Sequence, residues 1–430
     1  MSKVTRRKLL KAGAAAGAAA GAAAASSAFA QEFFSKPSSV LGPARGNRVV
    51  IIGGGWGGVS TARHLRRKNP NIEVVLIEKN PAFMSCPMSN LYLGGVKDLD
   101  FIVFDYTNVA KAGVTIINER AIEVNRAGRY VRTTSGLVFY NYLVVSPGID
   151  YMYEAIQGYS EVKQFLPVGF KPWEHIALKR QLDNFEGGDL VLAIPKPPYR
   201  CPPGPYERAA MLAYYLKTNQ IKGKVIVLDA NPGPVSKGPG FIAAYNDLYK
   251  DYIQYIPQAE VTAIDYARKE VKTPLGEFKF DMANIIPPMK AGEIVRTAGL
   301  GDRWANVRLP SFLSERDDRV YIIGDVIGNV PYPKSGQVAY NDGKIIAEHI
   351  AQRIAGKRPD EIANPLPDNI CYSFVSSEES IWVSHKHNWD EATRQIRQQS
   401  TVDNNRSKPN GALALEWARG LWGDMFGPGA

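Results

Sequence analysis

Val49-Val50-Ile51-Ile52-Gly53-Gly54-Gly55-Trp56-Gly57-Gly58 decides how this chain is read. Four consecutive β-branched apolar residues predict a strand buried on both faces of a parallel sheet. The glycines at 53, 55 and 58 then follow the spacing G-x-G-x-x-G into a helix. In such a loop the first glycine permits the tight turn, the second lets backbone N–H groups approach a dinucleotide pyrophosphate, and the third lets the helix pack closely on the strand. The helix N-terminus supplies the positive end. A glycine-rich turn without a ligand uses the same residues, so context decides. Here a second apolar strand, 74–77, ends in Glu78, about twenty residues on, where a carboxylate binds a ribose 2′-hydroxyl.

A length of 430 residues allows two or three domains, each with its own core. The N-terminus stands apart from them. Thr5-Arg6-Arg7-Lys8-Leu9-Leu10-Lys11 precedes an Ala/Gly run ending in Ala28-Phe29-Ala30, a small-x-small cleavage site. Residues 1–30 therefore read as a twin-arginine export signal cut after Ala30, with the periplasm as destination. An Ala/Gly run is a poor membrane-spanning helix, so membrane contact is not expected from it. The signal holds five basic residues (Lys3, Arg6, Arg7, Lys8, Lys11) and no acidic one, so its removal takes the net charge from +10 to +5. That excess gives no argument for nucleic acid; it fits docking of an acidic protein or a solvated surface.

Three cysteines, Cys86, Cys201 and Cys371, leave one disulfide at most and one thiol over in an oxidising compartment. No C-x-x-C-H occurs, so this chain attaches no c-type haem, and no metal site is expected. His385 and His387 lie on a polar segment that reads as exposed surface.

From residue 47, strand, glycine loop, helix (59–68), strand and acid make a first βαβ unit. The loop 80–90, containing Ser85-Cys86-Pro87, leaves the cofactor-binding edge of the sheet; its cysteine either reaches a flavin ring or is an ordinary buried cysteine. Strand 120–125 and a meander over 130–145 follow, the last strand ending in Ser146-Pro147-Gly148. Far downstream, Val320-Tyr321-Ile322-Ile323 ends in Gly324-Asp325, followed by Lys334-Ser335-Gly336-Gln337 and a helix through Ile350. These three elements in this order resemble the two-dinucleotide-binding-domain flavoproteins, which implies FAD rather than NAD, with the late carboxylate on the ribitol. A helix N-terminus aimed at the flavin stabilises negative charge there. Lys334 either assists or is a solvated loop lysine.

Between these segments lies a second α/β unit, 159–287, with strands 190–194 and 224–228, the latter ending in Asp229. Its connecting loop is wrong for a nicotinamide cofactor. Pro195-Lys196-Pro197-Pro198-Tyr199-Arg200-Cys201-Pro202-Pro203-Gly204-Pro205 is too rigid and too short of N–H groups to wrap a pyrophosphate. Cys201 stands ahead of a helix expected near Tyr206, whose dipole lowers a thiol pKa. Glu207 lies one turn in, as a proton acceptor or a carboxylate facing water. Residues 363–430 carry Cys371 and an apolar stripe (Leu413, Leu415, Trp417, Leu421, Trp422, Phe426) that docks on the chain's own core or forms a partner or membrane-surface face.

Over essentially the whole mature chain the sequence resembles the flavoprotein subunit of flavocytochrome c sulfide dehydrogenase. The residues that carry the resemblance are the glycine loop, Cys86 in its Ser-Cys-Pro loop, Cys201 with Glu207, Ile286-Pro287-Pro288 with Ala291-Gly292, Gly324-Asp325, and Cys371-Tyr372-Ser373. It implies two Rossmann-like α/β domains and a C-terminal α+β interface domain: FAD binding over 47–158 and 288–362, a degenerate NADH-like domain over 159–287, and the interface over 363–430. It implies FAD held by Gly53, Gly55, Trp56, Gly58, Glu78, Lys79, Ala121, Ser146, Pro147, Gly148, Gly324, Asp325, Lys334 and Gln337, and joined covalently to Cys86. It further implies a redox-active disulfide of Cys201 and Cys371 assisted by Glu207, sulfide as substrate, and a separate c-type cytochrome subunit as acceptor. The competing expectations are a sulfide:quinone oxidoreductase and a non-catalytic electron-transfer flavoprotein of a sulfur-oxidising complex.

Overall fold

The computed structural model describes residues 39–43 and 46–428. The expected export signal lies outside them. The first unit opens with β1 (Arg48–Ile52), α1 (Trp56–Lys68), β2 (Glu73–Ile77), β3 (Val114–Ile117) and β4 (Tyr142–Val145). The second holds α2 (Glu174–Asp183), β5 (Gly188–Ile194), α3 (Gly204–Thr218), β6 (Gly223–Asp229), α4 (Gly238–Leu248), β7 (Ile253–Pro257) and β8 (Met282–Ile285). The chain then returns to the first unit with β9 (Asp317–Ile322) and α5 (Gly336–Ile354). It ends in β10 (Asn369–Phe374), β11 (Ser380–Asp390), β12 (Gln395–Ser407) and α6 (Lys408–Phe426).

In the first sheet β3, β2, β1, β4 and β9 lie side by side and parallel, with two short antiparallel strands beyond β9. Its centre is the buried Val49–Ile52 run, in contact with α1, on which α5 packs, and with the 123–139 meander. Burying each such side chain contributes about 1.5–3 kcal/mol, which explains why an uninterrupted apolar run takes the central position. The second sheet, ordered β7-β6-β5-β8, is parallel throughout. Both sheets therefore present the C-terminal ends of their strands to a connecting loop, where ligands bind in this architecture.

Helix α3 couples the two cores. From Gly204 to Ala213 it is buried all round, with Met211 in the first apolar cluster and Ala209, Ala210, Leu212 and Ala213 in the second. A helix apolar on every side fits only between layers. It starts at Gly204, two residues earlier than the sequence reading placed it, and α1 likewise starts at Trp56 rather than 59. The last three strands form an antiparallel sheet with α6 packed on it. The α6 stripe docks on the chain's own core: Trp422 packs edge-on against Phe101 and tilted against Phe104, and Phe426 stacks on Phe104 and packs tilted against Phe83, leaving only Leu413 of the stripe largely exposed. No helix among the described residues is long and apolar enough to cross a membrane.

Candidate active site

A cavity of about 860 Å³ runs from the β1–α1 loop to the three cysteines. The glycines divide its construction. Gly53 has φ +101°, and a Cβ there would lie 2.2 Å from the Ser146 carbonyl oxygen; one at Gly58 would lie 1.8 Å from the Gly53 carbonyl. Those two let the loop close on the Ser146 turn and the helix close on the strand. At Gly55 a Cβ would meet nothing within 4 Å, so this residue borders open cavity. Glu78 reaches the same loop, its Oε2 accepting from the Gly54 N–H at 2.6 Å.

These walls fit FAD. The cradle at Gly55 has space where a side chain would stand, and Trp56, Glu78, Lys79, Ala121, Ser146, Pro147, Gly148, Gly324, Asp325 and Gln337 line one continuous volume. Asp325 is buried with its Oδ1 unpartnered among the described residues, while Oδ2 accepts from Arg200 Nε at 2.5 Å. A buried carboxylate oxygen without a donor is an acceptor awaiting a hydroxyl. Gln337 is held by the indole N–H of Trp417 from α6, so the C-terminal helix forms part of the wall.

At the far end the chain brings together sulfurs that are 115 and 170 residues apart in sequence. Cys86, Cys201 and Cys371 all line the cavity and are thiols here, with Cys201 hydrogen-bonded to both of the others. Cys201 adopts a left-handed backbone (φ +57°), and its N–H donates to the Lys334 carbonyl at 2.7 Å. Gly204 makes room for it, since a Cβ there would come within 2.9 Å of Cys201 Sγ. The hydrogen bond from Cys201 draws Cys371 down to about 7, aided by the nearby Lys237 ammonium. Cys86 is likewise lowered, first by Cys201 and then by the Arg200 and Arg208 charges. Cys201 moves the other way: its bonds to Cys371 and Cys86 and its burial push it well above an ordinary thiol. This corrects the expectation that the α3 dipole would lower it; two thiol neighbours at contact outweigh a helix terminus three residues away.

Other expected residues stand elsewhere. Glu207 is neither water-facing nor in the cavity wall. Its Oε1 accepts from the Phe374 N–H at 2.8 Å and its Oε2 from Asn90 Nδ2 at 2.9 Å, and burial raises its pKa. It clamps the Cys371 strand to α3. Lys334 does not line the cavity: its ammonium donates to the carbonyls of Asp325 (2.8 Å) and Ile327 (2.6 Å) over the Trp304 ring, and burial lowers it to about 8. Gly58 packs beneath the loop rather than in the wall. His387, expected at the surface, is buried and bonded to the Pro367 carbonyl and Gln398.

Sequence reading missed Arg200, the partner of Asp325; His175, a buried cavity-wall imidazole held down to about 3 by its burial; and Lys237 beside Cys371. Adjacency to Cys201 was a signal for Arg200. Nothing local singles out the other two. No cluster of metal ligands occurs among the described residues.

Family comparisons agree with this geometry. Residues 47–169 match the pyridine nucleotide-disulphide oxidoreductase model, 175–287 the central region of the sulfide dehydrogenase (flavocytochrome c) flavoprotein chain, and 363–426 the flavin-binding region of flavocytochrome c sulphide dehydrogenase. A sulfide-quinone reductase of Aquifex aeolicus is 30% identical over 365 residues, spanning 78% of this chain and 83% of its own. The flavocytochrome c sulfide dehydrogenase flavoprotein chain of Chlorobaculum thiosulfatiphilum is 56% identical over 43 residues, covering 10% of this chain and 90% of the compared sequence. The X-ray structure of the Aquifex aeolicus sulfide:quinone oxidoreductase superposes with a TM-score of 0.73 at 21% identity, covering 89% and 92% of the two chains, a likeness of fold. The chain belongs to the family of the flavocytochrome c sulfide dehydrogenase flavoprotein chain, FAD-binding, sulfide-oxidising flavoproteins of disulfide-oxidoreductase fold.

Proposed function

We propose that this protein is the periplasmic flavoprotein subunit of a sulfide dehydrogenase that oxidises sulfide to sulfur or polysulfide and passes the electrons to a c-type cytochrome. The observation that carries the reading is the contact of three cysteines at the end of an FAD-shaped cavity. In this reading Cys86 holds FAD as a thioether, and Cys201 and Cys371 form the disulfide that sulfide opens. Hydrosulfide attacks one sulfur; an S–S bond forms to the incoming atom, the bond between the cysteines breaks, and the other sulfur leaves as thiolate with the electron pair. Bound FAD supplies a two-electron acceptor that can be emptied one electron at a time. Around it the chain orients and excludes: Arg200 holds Asp325 in place, Glu207 fixes the Cys371 strand, and α6 closes the wall over Gln337.

A quinone-reducing reading draws on the 30% identity to the Aquifex aeolicus sulfide-quinone reductase. Against it stands α6, whose large apolar residues are spent on the chain's own core, leaving Leu413 alone largely exposed. The export signal read at 1–30 supports the periplasmic, cytochrome-coupled enzyme.

The test is anaerobic titration of the mature protein with sulfide, preceded by acid precipitation. Yellow colour retained in the pellet, flavin bleached by about one equivalent of sulfide, and reoxidation by cytochrome c but not by a soluble quinone are expected. Reoxidation by quinone alone identifies the quinone reductase, and a flavin indifferent to sulfide identifies an electron-transfer flavoprotein.

A further inference from the structure

Lys237 is buried in the protein interior, on a left-handed backbone (φ +54°) at the start of α4. Its ammonium donates to the Cys371 carbonyl at 3.0 Å and to Ser373 Oγ at 2.7 Å, both on β10. An ammonium has three donors, and these bonds use two. Among the described residues it makes no contact-distance ion pair, and the acidic groups it feels are Cys371, Glu207 and Cys201. Glu207 is already committed to Phe374 and Asn90. A lysine kept in such a place without a carboxylate partner is costly to bury, and the cost is offset when a neighbouring group becomes an anion. Desolvation acts on Lys237 in the expected sense, lowering its pKa, while all three neighbours oppose it.

Resting on the disulfide reading above, we propose that Lys237 is a positioning residue that selects Cys371 as the departing sulfur, so that hydrosulfide attacks Cys201 and the persulfide forms there. The new bond joins the substrate sulfur to Cys201 Sγ, the Cys201–Cys371 bond breaks, and its electron pair goes to Cys371 Sγ beside the ammonium. The substrate sulfur is oxidised, the disulfide is reduced, the proton stays on the incoming sulfur, and no co-reactant is required. A thiol leaves faster as its pKa falls, and the Lys237 ammonium, anchored on the Cys371 carbonyl, acts to lower Cys371. The groups that face Cys371 are Cys201 from the proline loop, Glu207 from α3 and Lys237 ahead of α4. His385 on β11 also feels Lys237, and Cys86, Arg200 and Arg208 lie beyond Cys201. Of these, Lys237 is the cation acting on Cys371.

The experiment uses the flavin-loaded mature protein. Peptide mass spectrometry first establishes whether Cys201 and Cys371 are linked in the oxidised form; unlinked cysteines refute the disulfide reading itself and this proposal with it. One equivalent of hydrosulfide is then added, the mixture is trapped with iodoacetamide, and the cysteine peptides are mapped. Linked cysteines with the added sulfur on the Cys201 peptide support the proposal; the added sulfur on Cys371 overturns it and leaves the disulfide reading intact. This arm needs no variant. In the second arm, alkylation of Cys371 in the dithiothreitol-reduced protein is followed against pH. Lys237→Gln keeps a donor and removes the charge, and is expected to move the midpoint up by about one pH unit and slow alkylation at pH 7 about fivefold. Lys237→Arg is expected to stay within threefold of wild type. An unshifted profile in Lys237→Gln, or a profile in Lys237→Arg at the ordinary thiol position, rejects the role of the charge.

Discussion

After β1 the chain turns on glycine; after β5, at the same place in its own parallel sheet, it turns through six prolines between 195 and 205. Both loops run into a helix, and in both units the next strand is followed by or ends in an acid, Glu78 after β2 and Asp229 at the end of β6. The acids differ in what they face. Glu78 lines the cavity. Asp229 is fully buried and saturated: Tyr206 and Tyr255 donate their hydroxyls to Oδ2 at 2.9 and 2.6 Å, and Asn231 donates N–H and Nδ2 to Oδ1 at 3.0 and 2.7 Å. A carboxylate with every lone pair occupied has nothing left for a ribose. One scaffold thus occurs twice, once with a glycine loop bordering the open cavity and once with a proline loop that brings Cys201 to the same cavity.

The largest effect that tests this contrast comes from one methyl group in each loop. Gly58→Ala places a Cβ 1.8 Å from the Gly53 carbonyl, backbone against backbone, and nothing there can move aside. We expect a loss of about 4 kcal/mol or more and no recoverable flavoprotein, read by soluble yield and flavin content. Gly204→Ala, by contrast, meets the end of a side chain, Cys201 Sγ at 2.9 Å. The fold and flavin content are expected to survive while sulfide bleaching slows at least tenfold. Equal damage from both substitutions would mean that the second loop is as structurally constrained as the first.

The acids give the next largest effect. Asp229→Ala strands two tyrosine hydroxyls and an asparagine amide in the interior, and is expected to cost about 2–4 kcal/mol in urea unfolding. Flavin content and sulfide titre should stay unchanged, and millimolar NADH should bleach neither form. A flavin that responds to NADH would show that the second unit has kept a nucleotide site despite its prolines.

How much of this was legible depended on range in sequence. The glycine loop, the Ser146 turn and Gly324-Asp325 are local patterns whose spacing alone dictates backbone shape, and the cavity wall brings them together. The proline loop was equally plain as a rigid loop short of backbone N–H groups. What escaped depends on packing across long separations. Glu207 is buried because β10, 167 residues later, lends it the Phe374 N–H. Cys201 is raised rather than lowered because two distant thiols reach it before solvent does. Lys237 sits in a Pro- and Gly-rich loop without a local signal, and only β10, more than 130 residues later, closes over it.

The smallest effect at pH 5 concerns a second buried acid, this one in the first unit. Asp342, in the middle of α5, accepts from the Gly324 N–H at 2.9 Å through Oδ2, yet its Oδ1 has no partner among the described residues, and burial raises its pKa to about 8. Asp229 is surrounded by donors; Asp342 is not. The sign follows from linkage. An Asp carboxyl free in the unfolded chain titrates near 4, so between about pH 4 and 8 the folded state holds a proton that the unfolded state has lost. Stability is then full below pH 4 and declines as pH rises toward 8. Asp342→Asn keeps an acceptor for Gly324 and abolishes the titration. It should match wild type below pH 4 and exceed it by about 1–2 kcal/mol at pH 5, a gap that widens by about 1.4 kcal/mol per further pH unit toward pH 8, read as a pH-dependent gap in melting temperature. A constant gap at all pH values would mean that Asp342 is ionised when folded and has a donor that the present geometry lacks. The contrast between a saturated acid behind the proline loop and a protonated one behind the Gly324-Asp325 turn would then fall.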